Sequence, residues 1–256
     1  MLRRIYDDYF KSSKIFEYDT ILHFAKINDY EFHTVNSFAN LTQNRRIVFK
    51  KNILILRCDV DTKDIFCLKQ FLNIEKKYDA RCSYYFRLNT CDYDIMQEIE
   101  QMGGEASYHY EEIATFAFKN RIKEKEIVLA DLEHIRENFK INYLNMKAKS
   151  GLLMRTVASH GDYVNRKLKL TNIPIVSETV RTELGIIREA YDEEHMNYLT
   201  YRLADHNSRN FTQEAIDALS RRESVVELLI HPRQWKSDFI ANTRENINRI
   251  YRGLLY

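Results

Sequence analysis

Ile53-Leu54-Ile55-Leu56-Arg57-Cys58-Asp59-Val60-Asp61-Thr62 decides the architecture. Its first four residues form an unbroken apolar run, with β-branched Ile53 and Ile55, and polar side chains follow at once. A short continuous apolar run of this kind suits a strand buried on both faces, as in a parallel sheet. Asp59 and Asp61 stand two positions apart, so they point the same way if the strand continues. Two carboxylates on one side repel unless a cation or a proton sits between them. A metal ion resolves the repulsion, with one acid as ligand and the other free as base. The simpler reading is that one of them caps the helix that follows.

Outward from this stretch, strand and helix patterns alternate. The spacing predicts a helix over Ile65–Lys77, a strand over Cys82–Leu88 and a helical stretch ending at Glu98–Met102, with Gly103-Gly104 as its C-terminal cap. An extended segment over Ala106–Tyr110 and a long helix over Ile122–Phe139 come next. Further strands are expected at Leu152–Ala158, Ile173–Val180, Tyr198–Leu203 and Val225–Ile230, and a last helix at Ser237–Tyr251. Strands alternating with helices imply βαβ units and a parallel sheet. The fold expected is α/β, a distorted (β/α) barrel of about seven parallel strands, with an open doubly wound sheet as the alternative. Residues 1–256 form one domain in this reading. Residues 1–50 read as short helices and an extended piece, a helical N-terminal extension packed on the barrel, with a helix over Asp19–Asn28.

Composition removes several classes of function. Of 256 residues, 45% are hydrophobic and 30% charged, enough apolar material for a core and against intrinsic disorder. Only 6 Gly and 2 Pro are present, which excludes linker-rich and collagen-like chains. The 39 basic and 37 acidic residues nearly cancel and are dispersed, so no nucleic-acid partner is expected. Arg45-Arg46 and Lys50-Lys51 read as solvated edges. Cysteines 58, 67, 82 and 91 lack Cys-x-x-Cys spacing and read as reduced thiols. Met1–Asp8 carries acids where a signal peptide needs an apolar run, and no stretch reaches 18 apolar residues. A cytoplasmic chain without a transmembrane segment is the expectation.

In parallel α/β folds the site lies at the carboxyl ends of the strands. Polar residues stand there repeatedly: Asp59 and Asp61, then His109 and Glu111, then Ser159-His160-Gly161, then Asp205-His206, then His231-Pro232. The remaining His23, His33, His134 and His195 have no such setting and read as background. Asp-x-Asp-x-Thr after an apolar strand also resembles the haloacid-dehalogenase phosphatases and the Asp-x-Asp signature of nucleotide-sugar glycosyltransferases. A phosphatase of that type needs a placed Lys and a late acidic pair, whereas the late strand ends here carry histidines.

Taken in order, Asp59-Val60-Asp61, His109-Tyr110-Glu111, Ser159-His160-Gly161 and Ile230-His231-Pro232 resemble the motifs of NodB-homology polysaccharide deacetylases (carbohydrate esterase family 4). The branch most similar is that of bacterial O-antigen and surface-polysaccharide loci. The likeness runs from Ile53 to Trp235. It implies a distorted (β/α) barrel, a divalent metal, usually zinc, and removal of N-acetyl groups from amino sugars. By the same resemblance Asp59 is the general base, Asp61 and His109 are metal ligands and His231 is the general acid. Arg155 would orient the base and Asp205 the late histidine. Ile113 stands where the family has its second metal histidine, and Gly104 where relatives often carry another; His160 or Glu111 would then complete the metal site. Tyr84, Tyr85, Tyr108 and Trp235 are the aromatics available to stack on a sugar, and Tyr108, Glu111 and Trp235 are the expected substrate contacts. A catalytically inactive, carbohydrate-binding relative and a Mg²⁺-dependent phosphoryl- or glycosyl-transfer enzyme are the alternative readings.

Overall fold

A computed structural model describes residues 9–10, 12–43 and 49–256. Met1–Asp8 and Arg45-Arg46 lie outside the described residues. Among the described residues eight strands, all parallel to their neighbours, form one sheet: β1 (Glu31–His33), β2 (Ile53–Val60), β3 (Cys82–Phe86), β4 (Glu105–Tyr110), β5 (Thr156–Ser159), β6 (Arg188–Glu189), β7 (Tyr201–Ala204) and β8 (Val225–Ile230). Seven lie side by side in the order β6-β5-β4-β3-β2-β8-β7, curled into a distorted (β/α) barrel, and β1 pairs β2 off this path. Along one side of β2, β1 pairs Ile53–Ile55 and β3 takes over from Leu56 to Val60. All eight residues of β2 are buried, as its apolar run requires.

The pleat sorts the residues into two layers. Leu54, Leu56, Cys58 and Val60 face outward with Tyr84, Phe86, Tyr108 and Tyr110, and the helices cover them. Ile53 and Ile55 face inward with Tyr85, Ala158, Ala190 and Val225. The helix Val35–Thr42 closes the amino-terminal end, where Phe38 joins the inner cluster and the Val35 amide donates to Ser83 Oγ at 2.7 Å. The segment before residue 50 therefore supplies helices and an extended strand, and its second helix serves as an end plug. Its helix Ile15–Ile27 lies over Ile65–Tyr78 and Phe211–Ser220; Tyr18 meets Phe71 at 4.8 Å and donates to Glu75 at 2.8 Å.

Local signals set the element ends. The Asp64 side chain caps the helix Ile65–Tyr78 by accepting from the Cys67 amide at 2.8 Å, which frees Asp59 and Asp61 from capping duty. Gly103 adopts φ +80° just past the helix Tyr93–Gln101, the left-handed cap conformation glycine accepts most readily. The strand expected over Ile173–Val180 is instead a 3₁₀ turn, Ile173–Ile175, followed by the helix Glu178–Leu184. Pro174 starts the turn, and Ser177 caps the helix on the Val180 amide.

Candidate functional site

The inward parity of β2 continues through Arg57 and Asp59 to Asp61, just past the strand end. The register sets Asp59 beside Tyr85 of β3 and His109 of β4 beside Ala158 of β5. At the carboxyl mouth of the barrel, Asp61, His109 and His160 converge. His109 Nε2 and His160 Nε2 each lie 3.5 Å from Asp61 Oδ1, and the three ligand atoms all fall within 4.8 Å of one another. The two rings stand at 74° with centroids 5.0 Å apart.

Their outer contacts fix which atoms face inward. His109 Nδ1 meets the Ala158 carbonyl at 2.9 Å. A carbonyl only accepts, so Nδ1 carries the hydrogen and Nε2 of the neutral ring keeps its lone pair. His160 Nδ1 meets Glu111 Oε2 at 3.1 Å. Burial alone would raise the Glu111 pKa. The bond from His160, then the charges of Arg87 and His160 and the Arg87 hydrogen bonds, bring it down to about 2. Glu111 is thus an ionised acceptor, and His160 too aims Nε2 at Asp61. Asp61 Oδ1 is buried and accepts no hydrogen bond. Its carboxyl would be pushed up by burial, but His160, His109 and His231 hold it well below the usual range.

These residues fit a divalent ion. Metal–ligand bonds of about 2.0–2.2 Å at a tetrahedral angle set ligand atoms roughly 3.3–3.6 Å apart. Two imidazole nitrogens, which bind a metal through the neutral ring, and a carboxylate are a suitable donor set, and three protein ligands leave a coordination position open. The bare buried oxygen is costly unless a cation meets it.

Asp59 is held differently. Arg57, two residues earlier on the same face, donates Nε to Oδ1 at 2.9 Å and Nη2 to Oδ2 at 2.8 Å. Both residues are buried, and Tyr191 lies over the guanidinium at 4.4 Å. Burial would raise the Asp59 carboxyl; Arg57 foremost, then His109, leaves it lowered. Asp59 Oδ2 also lies 3.5 Å from His109 Nε2, so it borders the metal group.

On the β7–β8 side, Asp205 Oδ1 lies 2.7 Å from His231 Nδ1, and Asp205 Oδ2 accepts from the His231 amide at 2.6 Å. Trp235 Nε1 donates to the same Oδ2 at 2.9 Å. Burial alone would lower the His231 pKa; Asp205, then Asp61 and Asp59, raise it to about 9.

Several expected residues sit elsewhere. Arg155 is exposed and precedes β5, at the amino end of the strand, away from Asp59, whose carboxylate is bonded instead by Arg57. Tyr108 points outward, stacked on Phe139 at 5.8 Å, with its hydroxyl on Glu112. Tyr84 and Tyr85 are tied to Glu75 and Thr156. Trp235 is 3% exposed and packs edge-on against Phe71 and Phe211, so it offers no stacking face. Glu111 is bonded to His160 and Arg87. Ile113 is fully buried, and its amide donates to Asn172 Oδ1 at 3.0 Å while Asn172 Nδ2 donates to the His160 carbonyl. Gly104 has no room for a side chain, since a Cβ there would sit 2.9 Å from Ile99 Cγ2 and 3.0 Å from the Cys82 carbonyl. Arg57, Arg87 and Asn172 are the site's unanticipated members. The signal for Arg57 was its i, i+2 spacing to Asp59 inside an apolar strand, and for Arg87 its place just after β3.

No protein-family model matches the chain, and no curated protein matches it. Among solved structures it is similar to IcaB from Ammonifex degensii, at 12% identity over 67% of this chain and 73% of that one, with a TM-score of 0.46. It is also similar to Streptococcus pyogenes deacetylase PplD in complex with acetate, at 12% identity over 88% of this chain and 87% of that one, with a TM-score of 0.37.

Proposed function

We propose that the chain is a metal-dependent hydrolase that removes N-acetyl groups from amino sugars, acting on precursors in bacterial surface-polysaccharide (O-antigen) biosynthesis in the cytoplasm. The observation that carries the reading is the bare Asp61 Oδ1, met at 3.5 Å by His109 Nε2 and His160 Nε2, between a base held by arginine and a histidine held by aspartate. Asp61, His109 and His160 would hold the ion, which we take to be zinc. A bound zinc supplies Lewis acidity and brings the pKa of water toward about 7.

The remaining work falls to the chain's own groups. Arg57 keeps Asp59 ionised and aimed, so Asp59 accepts the proton of the attacking water. Oxygen adds to the acetyl carbon and the C–N bond breaks. His231, held protonated by Asp205, delivers a proton to the departing nitrogen. The products are acetate and a free amine. His160 supplies the ligand that Ile113 cannot, which favours an active enzyme over an inactive binding relative. Both Asp59 oxygens accept from Arg57, which argues against Asp59 as a phosphoryl acceptor or Mg²⁺ ligand. Four free cysteines suit a reducing compartment. Among the described residues no helix is long and apolar enough to cross a membrane.

The test is direct. Asp61→Ala and His109→Ala are each expected to lose bound metal, by elemental analysis, together with release of acetate from acetylated amino sugars. Full activity in both variants would end this reading.

A further inference from the structure

The β7–β8 side of the mouth carries a second group of metal-ligand side chains. Asp205, His206 and His231 each bring one ligand atom to within 4.8 Å of the others, the same limit that gathers Asp61, His109 and His160. Asp205 Oδ1 is common to the group, at 2.7 Å from His231 Nδ1 and 3.9 Å from His206 Nδ1. The His206 and His231 rings stand at 85° with centroids 5.0 Å apart, against 74° and 5.0 Å for His109 and His160. A carboxylate and two imidazoles thus occur twice at the mouth, and the proposed mechanism uses no atom of His206. Local structure sets the second group. The Asp205 amide donates to the Leu229 carbonyl at 3.1 Å, which carries the β7–β8 pairing one residue further and brings Asp205 beside the end of β8. The Asn207 amide then donates to the Ala204 carbonyl at 3.0 Å and closes a turn with His206 inside it. The His206 side chain is 45% exposed, against 4% for Asp205, so water and ions reach it.

The two groups differ in what already occupies their atoms. Asp61 Oδ1 accepts no hydrogen bond, whereas Asp205 is engaged through Oδ1 with His231 Nδ1 and through Oδ2 with the His231 amide and Trp235 Nε1. Asp205 Oδ1 keeps a second lone pair, and the His206 side chain makes no hydrogen bond among the described residues. Ligand atoms at about 2.0–2.2 Å from a tetrahedral ion sit roughly 3.3–3.6 Å apart. The 2.7 Å contact must therefore widen and the 3.9 Å contact shorten, each by a fraction of an ångström. The ion takes the place of the hydrogen between Asp205 and His231. Two imidazoles and one carboxylate suit zinc, whereas magnesium and calcium call for oxygen ligands.

We propose that Asp205, His206 and His231 form a second, weaker zinc site that shuts the protein off when free zinc rises. Binding of the ion needs only these three residues, and the shut-off rests on the deacetylase reading. With zinc on Nδ1, the proton from that nitrogen passes to solvent. His231 is then a neutral imidazole, and its remaining Nε2 hydrogen can leave only by turning the ring into an imidazolate. Such a ring does not protonate the departing nitrogen. The lost charge-assisted hydrogen bond sets the affinity of this ion about tenfold or more below that of the first, so it exchanges freely and leaves on desalting.

Trp235 is the chain's one tryptophan and donates to Asp205, so its emission reports the second ion without reference to activity. The full-length chain carrying one equivalent of zinc is titrated with further Zn²⁺ by calorimetry and fluorescence. The wild type is expected to take up a second ion with a shift in Trp235 emission. His206→Ala and His206→Asn, at an exposed position, are each expected to lose the second ion and the shift while the first ion and native circular dichroism are kept. Acetate release from acetylated amino sugars is expected to fall about tenfold or more as the second ion binds the wild type, and to stay level in both variants. A wild type that takes up no second ion, or a second ion and emission shift kept in both variants, overturns the site. If the second ion behaves as expected but no acetate is released at any zinc concentration, the deacetylase reading fails and the site stands. If acetate release continues undiminished with the second ion bound, the shut-off is overturned and the deacetylase reading stands.

Discussion

Arg57 and Asp59 lie two residues apart on one face of β2, and the guanidinium grips both carboxylate oxygens, at 2.9 and 2.8 Å, where neither residue meets solvent. Burial pushes the pKa of this proposed base up, and the arginine brings it below the usual carboxylate value. Arg57→Lys keeps a positive charge and removes the two-pronged geometry. A charge-assisted hydrogen bond is worth about 1.5–3 kcal/mol, so deacetylation is expected to fall roughly 10- to 100-fold. The pH profile adds a sign. A base works only when ionised, so activity is lost as pH falls through its pKa. Loosening the arginine raises that pKa, and the acid limb should move to higher pH. A slower variant with an unmoved acid limb would mean that Arg57 merely supports the fold.

Glu111 meets the metal-binding group directly at His160 Nδ1. Arg87 clamps it, with Nη2 to Oε2 at 2.8 Å and Nε to Oε1 at 3.2 Å. Glu111→Gln leaves the shape and weakens the acceptor that sets the His160 tautomer. Loss of such a contact typically costs 10- to 100-fold in metal affinity. Competition with a chelator should show that loss, with bound metal restored at higher zinc concentration. Unchanged affinity would remove Glu111 from the site's supporting shell.

The barrel was legible because its central strands are continuous apolar runs, and Ile53–Leu56 and Val225–Ile230 need no pairing information to read as buried. The site was legible where a polar residue directly follows such a run. What escaped depends on the third dimension. β1 and β6 have three and two residues, too few for a pattern, and Arg188-Glu189 reads as surface. Arg155 stands close to Ser159-His160-Gly161 along the chain, but it enters β5 where His160 leaves it, at the opposite end. Tyr108 and His109 are neighbours, and the pleat alone sends one into the helix layer and the other into the barrel. Asn172, which ties the Ile113 amide to the His160 carbonyl, carries no local signal at all.

Asp205 accounts for most of what sets His231 apart from an ordinary buried histidine. Burial would push the ring below its usual value; Asp205, with Asp61 and Asp59, raises it to about 9. In chelator-treated protein, Asp205→Asn should bring the His231 titration down from about 9, read from ring NMR signals. A general acid works only when protonated, so activity is lost as pH rises through its pKa. In the metal-loaded variant the alkaline limb should therefore move to lower pH. An alkaline limb that stays in place would assign the leaving-group proton to another residue.

Glu75 makes a prediction about stability far from the mouth. It is buried between the N-terminal helix and β3, accepting from Tyr18 at 2.8 Å and Tyr84 at 2.7 Å. Burial raises its pKa to about 7, against the pull of the Tyr84 and Tyr18 hydrogen bonds. The folded-state pKa is above the unfolded one, so the unfolded chain releases this proton first as pH rises. The contribution is complete below about pH 4.5 and is lost progressively up to about pH 7. At 1.36 kcal/mol per unit the loss is on the order of 3 kcal/mol. Glu75→Gln stays neutral throughout, so the difference in unfolding free energy between variant and wild type should shift toward the variant across that window. Urea unfolding at pH 5 and pH 8 measures it, and a difference that does not change with pH would show that Glu75 is ionised in the folded protein.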